Sequence, residues 1–390
     1  MTSSRRIYMD ANATTRAAPE VRDVVVAAMT DPRNAGSAHW AGDEARGWID
    51  TARGQVAKLL RAAPTEITFT SGATEANSLA IEGVAAAAVS GDNSGRRRIV
   101  SATWEHHAVL EPLQRLQERG WEVVLVDVDC SGMPQLDQLA AAINNDTLLV
   151  TLMAANNETG VVAPIAAISD MCHESGALLH SDATQVAPWD QLDVDDLGVD
   201  LLSLSGHKMH GPQGVGALYV SRRLRQQQLI VPLVPGGGQE RGLRGGTVNV
   251  AGVAGLGAAA ELVVAHAEGE RQRVAALRDN LEQRLLAVVP DAQVNGGSHP
   301  RTPGTSNICF GGLPAEALLS GAPDLAASTG SACRAGAPEP SHVLLGMGLS
   351  WAEAESSIRF SLSTDSTQDD VDQAVQIMHL SARQVEEAMA

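Results

Sequence analysis

The stretch LLVTLMAANNETGVVAPIAAISDMCHESGALLHSD (148–182) decides the fold. It opens on the apolar run LLVTLM (148–153) and closes on ALLHSD (177–182), with a helix-length spacer between them that carries IAAISDMCHES. Two strand-length runs joined by a helix read as a β-α-β unit, in which both strands run the same way and the helix covers one face of the sheet. Further short β-prone runs stand on either side: EITFT (66–70), VVLVDV (123–128), DLLSLS (200–205) and GALYV (216–220), with amphipathic or alanine-rich segments among them. We expect an α/β large domain built round a mostly parallel sheet, with its ligand at the carboxyl ends of the strands.

Towards the C-terminus the pattern changes. ELVVAHAEGERQRVAALRDNLEQRLLAVV (261–289) spaces leucines and valines at helical intervals and reads as one long helix. SNICF (306–310), SIRFSL (357–362) and a charged helical tail (368–389) suggest a second, smaller α+β domain. The expected division is 16–262 for the large domain, and 1–15 with 263–390 for the small one. The stretch LSGAPDLAASTGSACRAGAPEP (319–340), rich in Gly, Pro, Ser and Ala, reads as a mobile loop of the small domain.

Composition narrows the function classes. The chain has 390 residues, 44% of them apolar, enough for a well-buried core. Its 46 acidic residues exceed the 28 basic ones by 18 (46 − 28), a balance that repels polyanions, so binding to nucleic acid or to an anionic membrane is not expected. The apolar stretch VAGVAGLGAAA (250–260) stops at Glu261, short of a membrane span, and no apolar targeting segment follows the arginines of MTSSRRIYMDANATT (1–15). Four cysteines, at 130, 172, 309 and 333, form no CxxC pair, which points to a reducing compartment and a cytoplasmic location. Only Lys58 and Lys208 are lysines, so chemistry that needs a primary amine has two candidates.

Three strand ends offer complementary chemistry. In FTSGATEANSLAIEG (69–83) a glycine turn leads into Thr74 and Glu75 at the start of a helix, a place that favours a phosphate and reads equally as an ordinary helix cap. In SLSGHKMHGPQGVGALYV (203–220) Lys208 directly follows a strand, where partial desolvation favours the neutral amine that forms a Schiff base; taken alone, the window also fits a solvated loop lysine. Lys58 sits off the apolar stripe Ile49, Val56, Leu59, Leu60 of its own helix and reads as a surface residue. In HSDATQVAP (180–188) Asp182 ends an apolar run, where a carboxylate either caps a helix or meets a cation such as the ring nitrogen of pyridoxal phosphate (PLP).

Together with YMDANATT (8–15), EHHAVLEP (105–112), NNETGVV (156–162), GGGQERGLRGGT (236–247), STGSACRAGAPEPSHVL (328–344) and SSIRFSL (356–362), these motifs resemble the cysteine desulfurases. Those are PLP enzymes of the class V aminotransferase group, and the resemblance runs from residue 7 to about 375. It implies the fold type I architecture of PLP-dependent aminotransferases, with a mostly parallel seven-stranded sheet in the large domain. It implies that Lys208 bonds to the cofactor aldehyde, that Asp182 pairs with the ring nitrogen, and that His106 stacks over the ring and takes part in catalysis. By the same matching, Asn157 and Gln185 touch the cofactor, Asn157 also meeting the substrate, while Ala73, Thr74, Ser205 and His207 hold the phosphate. Thr247 would reach the phosphate of a second subunit in a homodimer. Arg359 would clamp the substrate carboxylate with its two-pronged guanidinium.

Among the cysteines, Cys172 lies in a helical run, Cys309 in a strand and Cys130 in an aspartate-flanked turn. Cys333 sits in the small-residue loop beside Arg334, surroundings that favour a thiolate. The resemblance implies that L-cysteine is converted to L-alanine, its sulfur taken by Cys333 as a persulfide and passed to an acceptor protein. Selenocysteine lysis or transamination on the same fold would leave Cys333 dispensable, and a non-catalytic sulfur relay would keep the fold without turnover. The chain departs from the family's common SLG at Ser363, and it closes on EEAMA without the longer tail that some members use to grip an iron–sulfur scaffold. The resemblance therefore does not carry delivery to such a scaffold.

Overall fold

The structure is a computed structural model, and it describes residues 6–90, 95–329 and 340–390. In chain order the strands are β1 (Ile7–Tyr8), β2 (Ile67–Thr70), β3 (Arg98–Ala102), β4 (Glu122–Val126), β5 (Thr147–Met153), β6 (Leu178–Asp182), β7 (Leu201–Ser205), β8 (Gly216–Val220), β9 (Ala292–Asn295), β10 (Thr305–Phe310), β11 (Leu325–Ala326), β12 (Ser328–Thr329) and β13 (Ser357–Ser361). The helices are α1 (Pro19–Met29), α2 (Trp40–Leu59), α3 (Ala73–Ser90), α4 (His107–Glu118), α5 (Leu136–Ala142), α6 (Ile165–Ser175), α7 (Val194–Leu197), α8 (Arg222–Gln226), α9 (Val250–Val288), α10 (Ala315–Ser320), α11 (His342–Gly346), α12 (Trp351–Glu355) and α13 (Gln368–Met389).

The unit read from residues 148–182 is β5-α6-β6, its strands parallel with Met153 opposite Asp182. Every residue of both strands is buried, as a parallel strand covered on both faces requires, and this is why they read as unbroken apolar runs. The full sheet has seven strands in the order β2-β8-β7-β6-β5-β3-β4, and only β8 runs against the rest. The strand-by-strand reading passes over β3, which lies inside this sheet between β5 and β4. Its apolar run is short and follows Arg96 and Arg97, so the charges mask it.

A four-stranded antiparallel sheet, β12-β13-β10-β9, and a two-stranded parallel ribbon, β1-β11, make up the smaller layer. Two cores meet in α9. Residues from Val250 to Val263 pack into the core of the large sheet, whereas Val274, Leu277, Leu281 and Leu285 join Ile308, Phe310, Ile358, Phe360 and the apolar face of α13. The boundary expected at 262/263 falls inside this helix. The helix also begins eleven residues before the reading had it, because VAGVAGLGAAA is its first part (250 against 261).

That apolar segment makes part of α9 long and apolar enough to cross a membrane by length and composition. Its glycines show another use. A Cβ on Gly255 would lie 2.6 Å from Val25 Cγ2, and one on Gly257 would lie 2.5 Å from Ala52 Cα. Glycine in a helix interior costs about 1 kcal/mol relative to alanine. Here it lets α9 approach α1 and α2 more closely than any side chain would permit.

The expectation of a mobile loop over 319–340 is corrected for its first half. Leu319 and Ser320 end α10, Leu325 and Ala326 of β11 pair with β1, and Ser328 and Thr329 of β12 pair with β13, so most of this half lies in or between regular elements. Residues 330–339, Cys333 among them, lie outside the described residues.

One buried ion pair fastens the glycine-rich segment 236–247 to the sheet. Arg53 on α2 meets Glu240 in a two-pronged contact at 2.7 and 2.9 Å, and Glu240 also accepts from Phe69 N–H at 2.8 Å. The Arg53 guanidinium lies over the Phe69 ring at 4.6 Å and donates to Ile67 O at 2.8 Å. Glu240 holds a left-handed backbone (φ 46°), a strain that these contacts offset. We expect Glu240→Ala to destabilise the fold by about 3–5 kcal/mol by leaving a buried guanidinium unpaired, with Arg53→Met/Glu240→Leu recovering much of the loss. Urea unfolding of the three proteins checks this; a loss below about 1 kcal/mol in the single variant would refute it.

Candidate active site

The carboxyl ends of β5, β6 and β7, the start of α3 and the segment after β1 enclose a cavity of about 750 Å³. Lys208, His106, Ala73, Thr74, Asn157, Asp182, Gln185, Ser205, His207 and Arg359 all line it. Thr247 is exposed and does not line it, and Cys333 lies outside the described residues.

Asp182 closes β6 at 8% exposure. One carboxylate oxygen accepts the Thr184 N–H at 3.0 Å and the other accepts from Asn77 Nδ2 at 2.7 Å, so the group is oriented but not neutralised. His180, one pleat below, is fully buried between Thr151 Oγ1 at 2.8 Å and Ser203 Oγ at 2.9 Å. Burial depresses its pKa to about 4, and it stays neutral at physiological pH.

His106 caps α4, and its Nδ1 accepts the Ala108 N–H at 3.0 Å. Burial lowers its pKa, with Asp182 opposing and Lys208 adding to the effect. Neutral and bonded this way, the ring keeps its proton on Nε2. Lys208 follows β7 on the short turn Gly206–Lys208, and its Nζ donates to Ala13 O at 2.9 Å and also to Asn12 O. His207 Nδ1 shares a hydrogen bond with Thr14 Oγ1 at 3.1 Å, and burial holds its pKa at about 4.

The start of α3 supplies anion-binding groups. Glu75 reaches back to accept Ser71 N–H at 2.8 Å and pairs with Arg244 at 3.0 Å. Among the described residues, the N–H groups of Ala73, Thr74 and Glu75 find no protein acceptor. These three donors at the positive end of an 18-residue helix, next to Ser205 and His207 in the cavity wall, favour a phosphate.

Arg359 on β13 is 5% exposed. Its Nη2 donates to Asp10 Oδ1 at 2.8 Å, its Nη1 to Asn157 O at 3.1 Å, and its Nε is buried without a partner. Asp10, Asn12, Asn77 and Glu158 were not assigned roles by sequence reasoning, although each lies inside a quoted motif. Asn12 Nδ2 binds Asn157 O at 3.0 Å and Thr305 Oγ1 at 2.9 Å, tying the N-terminal segment to both layers. Cys172 and Cys309 are buried, and burial pushes the Cys172 thiol up to about 12 and raises that of Cys309, so neither is a ready thiolate.

The class V aminotransferase family model matches residues 7–374. A cysteine desulfurase of Trichormus azollae is 43% identical over 375 residues, covering 95% of this chain and 92% of the relative. The chain belongs to the cysteine desulfurase family of class V aminotransferases. A solved structure described as a NifS-like protein superposes with a TM-score of 0.86 at 34% identity, covering 96% of this chain and 98% of that one. Another, described as SspA in complex with cysteine, has a TM-score of 0.81 at 35% identity and covers 93% and 100% of the two chains. The family is PLP-dependent, and the cavity suits such a group. The unsatisfied α3 donors match a phosphate, the un-neutralised Asp182 matches a protonated ring nitrogen, and Lys208 supplies the amine.

Glu158 gives the site region a pH signature. It is fully buried, and burial pushes its pKa up to about 7, with the Ser341 hydroxyl and Arg359 opposing. The folded state therefore holds a proton that the unfolded chain has released, and the resulting stability is complete below about pH 4.3 and lost as pH rises through about 7. We expect Glu158→Gln, neutral at every pH, to flatten the fall in unfolding free energy between roughly pH 5 and 8 by up to about 3 kcal/mol. Equal slopes for variant and parent in denaturant titrations would remove this assignment.

Proposed function

We propose that the chain is a PLP-dependent cysteine desulfurase that converts L-cysteine to L-alanine and loads the sulfur on Cys333 as a persulfide for an acceptor protein. The observation that supports it best is the convergence of one amine, one oriented carboxylate, one neutral histidine and one guanidinium on a single cavity. Ser328 of β12 lines the same cavity, and Cys333 follows Thr329 by four residues, within roughly 14 Å of extended chain.

When bound, PLP supplies an electrophilic carbon for amines and a cationic ring that takes up the electron pair released at the substrate α-carbon. Ala73, Thr74, Ser205 and His207 hold its phosphate, His207 as a neutral donor or acceptor. Asp182, fixed by Asn77 and Thr184, accepts the hydrogen bond of the ring nitrogen and keeps that proton in place. His106, Asn157 and Gln185, which line the same cavity, would contact the cofactor ring. Lys208 Nζ carries the substrate α-proton, and Arg359 binds the substrate carboxylate. The Cys333 thiolate takes the sulfur, so that one cysteine and one enzyme thiol become one alanine and one enzyme persulfide, with no external oxidant. Thr247 serves a second subunit in a homodimer under this reading.

Two variants test it. Cys333→Ser is expected to keep the cofactor's visible absorbance and to lose at least about a hundredfold of reductant-dependent sulfide release, in the range of losing a covalent nucleophile. Undiminished sulfide release would instead favour a lyase or aminotransferase in which Cys333 is dispensable. Lys208→Ala is expected to retain no cofactor label after borohydride reduction; a label found on Lys58 by peptide mapping would displace Lys208 from its role.

A further inference from the structure

Asp10 lies in YMDANATT, lines the cavity, and is bonded to the guanidinium that the proposed reaction uses for the substrate. Its position is set by the backbone. Asp10 forms a parallel bridge with Ser361, flanked by hydrogen bonds from Ser361 N to Met9 O at 2.8 Å and from Ala11 N to Ser361 O at 3.0 Å. Tyr8 Oη donates to Asp10 O at 3.0 Å. Asp10 and Arg359 thus meet across adjacent backbone segments held in fixed register, with a 2.8 Å contact between Arg359 Nη2 and Asp10 Oδ1.

A guanidinium at 5% exposure needs a counter-charge, and in the free protein Asp10 provides it. A substrate carboxylate that binds the same guanidinium meets the cation together with an anion already on it. We infer that Asp10 is the resident counter-ion of Arg359 and tunes how strongly the site takes a carboxylate ligand, which makes it a specificity-determining residue. This rests on the reading of Arg359 as the carboxylate site. The consequence is selective: ligands that carry a carboxylate are weakened by Asp10, and ligands that lack one are not.

Asp10→Asn separates charge from geometry. The amide oxygen still accepts from Arg359 Nη2, and Asn157 O still accepts from Nη1, so the guanidinium keeps its orientation while the resident negative charge is lost. The probes are 3-mercaptopropionate, with thiol and carboxylate but no amine, and cysteamine, with thiol and amine but no carboxylate. Both are titrated calorimetrically into the PLP-loaded enzyme, alongside steady-state kinetics with L-cysteine.

We expect Asp10→Asn to tighten 3-mercaptopropionate and to lower the KM for L-cysteine by about tenfold each, the scale of one anion's repulsion at this distance. Cysteamine, a cation at neutral pH, should not tighten and should bind equally or more weakly, since the charge removed attracts an ammonium. Asp10→Ser, also uncharged, should tighten 3-mercaptopropionate as well and serves if the first variant folds poorly. Unchanged or weaker 3-mercaptopropionate binding in folded variants, or an equal shift for cysteamine, overturns the inference. If the parent enzyme yields no alanine from cysteine, the functional reading fails, and the paired titrations still decide the role of Asp10.

Discussion

Asp182 ends a strand that is buried on both faces, and that placement governs the rest of the site. A carboxylate at 8% exposure has lost most of its hydration, and among the described residues it makes no ion pair. Asn77 and the Thr184 N–H orient it without cancelling its charge. The neutral state of His180 behind it and of His106 beside it follows from the same burial, which penalises any cation without a built partner. The anion-binding start of α3 lines the same cavity, so the pocket offers groups for both signs of charge.

The second organising element is a short piece of main chain. Residues 10–15 leave β1 and run through the site, where Asn12 O and Ala13 O accept from Lys208 Nζ, Thr15 Oγ1 donates to His207 O at 2.8 Å, and Asp10 holds Arg359. Asn12 N donates to Ser361 Oγ at 2.9 Å, a partner 349 residues away. One short segment, turning at residues 11–13, therefore sets the distance between the amine contributed by the large sheet and the guanidinium contributed by the small one. Domain movement that altered this spacing would have to break several of these bonds together.

Much of the architecture was legible because burial leaves a mark in the sequence. β2, β5, β6, β7 and β8 read as apolar runs because each is covered on both faces, and the C-terminal helix α13 showed its amphipathic period. β3 was missed because arginines precede a short run. β1, β11 and β12 were missed because two-residue strands carry no periodicity at all. The start of α9 was missed because VAGVAGLGAAA lacks a polar face; its glycines make sense only with α1 and α2 in view.

The site divides in the same way. Lys208, Asp182 and Thr74 could be picked out because their residue types stand at strand and helix ends, whereas Arg359, in the middle of β13, came only from the family resemblance. Asn77 on Asp182, Asp10 on Arg359 and Glu240 on Arg53 could not, since their partners lie 105, 349 and 187 residues away. The sequence by itself determined the alternation of strands and helices and the family, both of which depend on local pattern and residue type. Which carboxylates are buried, which partner each one meets and how the two layers are spaced were decided only by the tertiary structure, because those properties come from burial and from contacts between segments far apart in the chain.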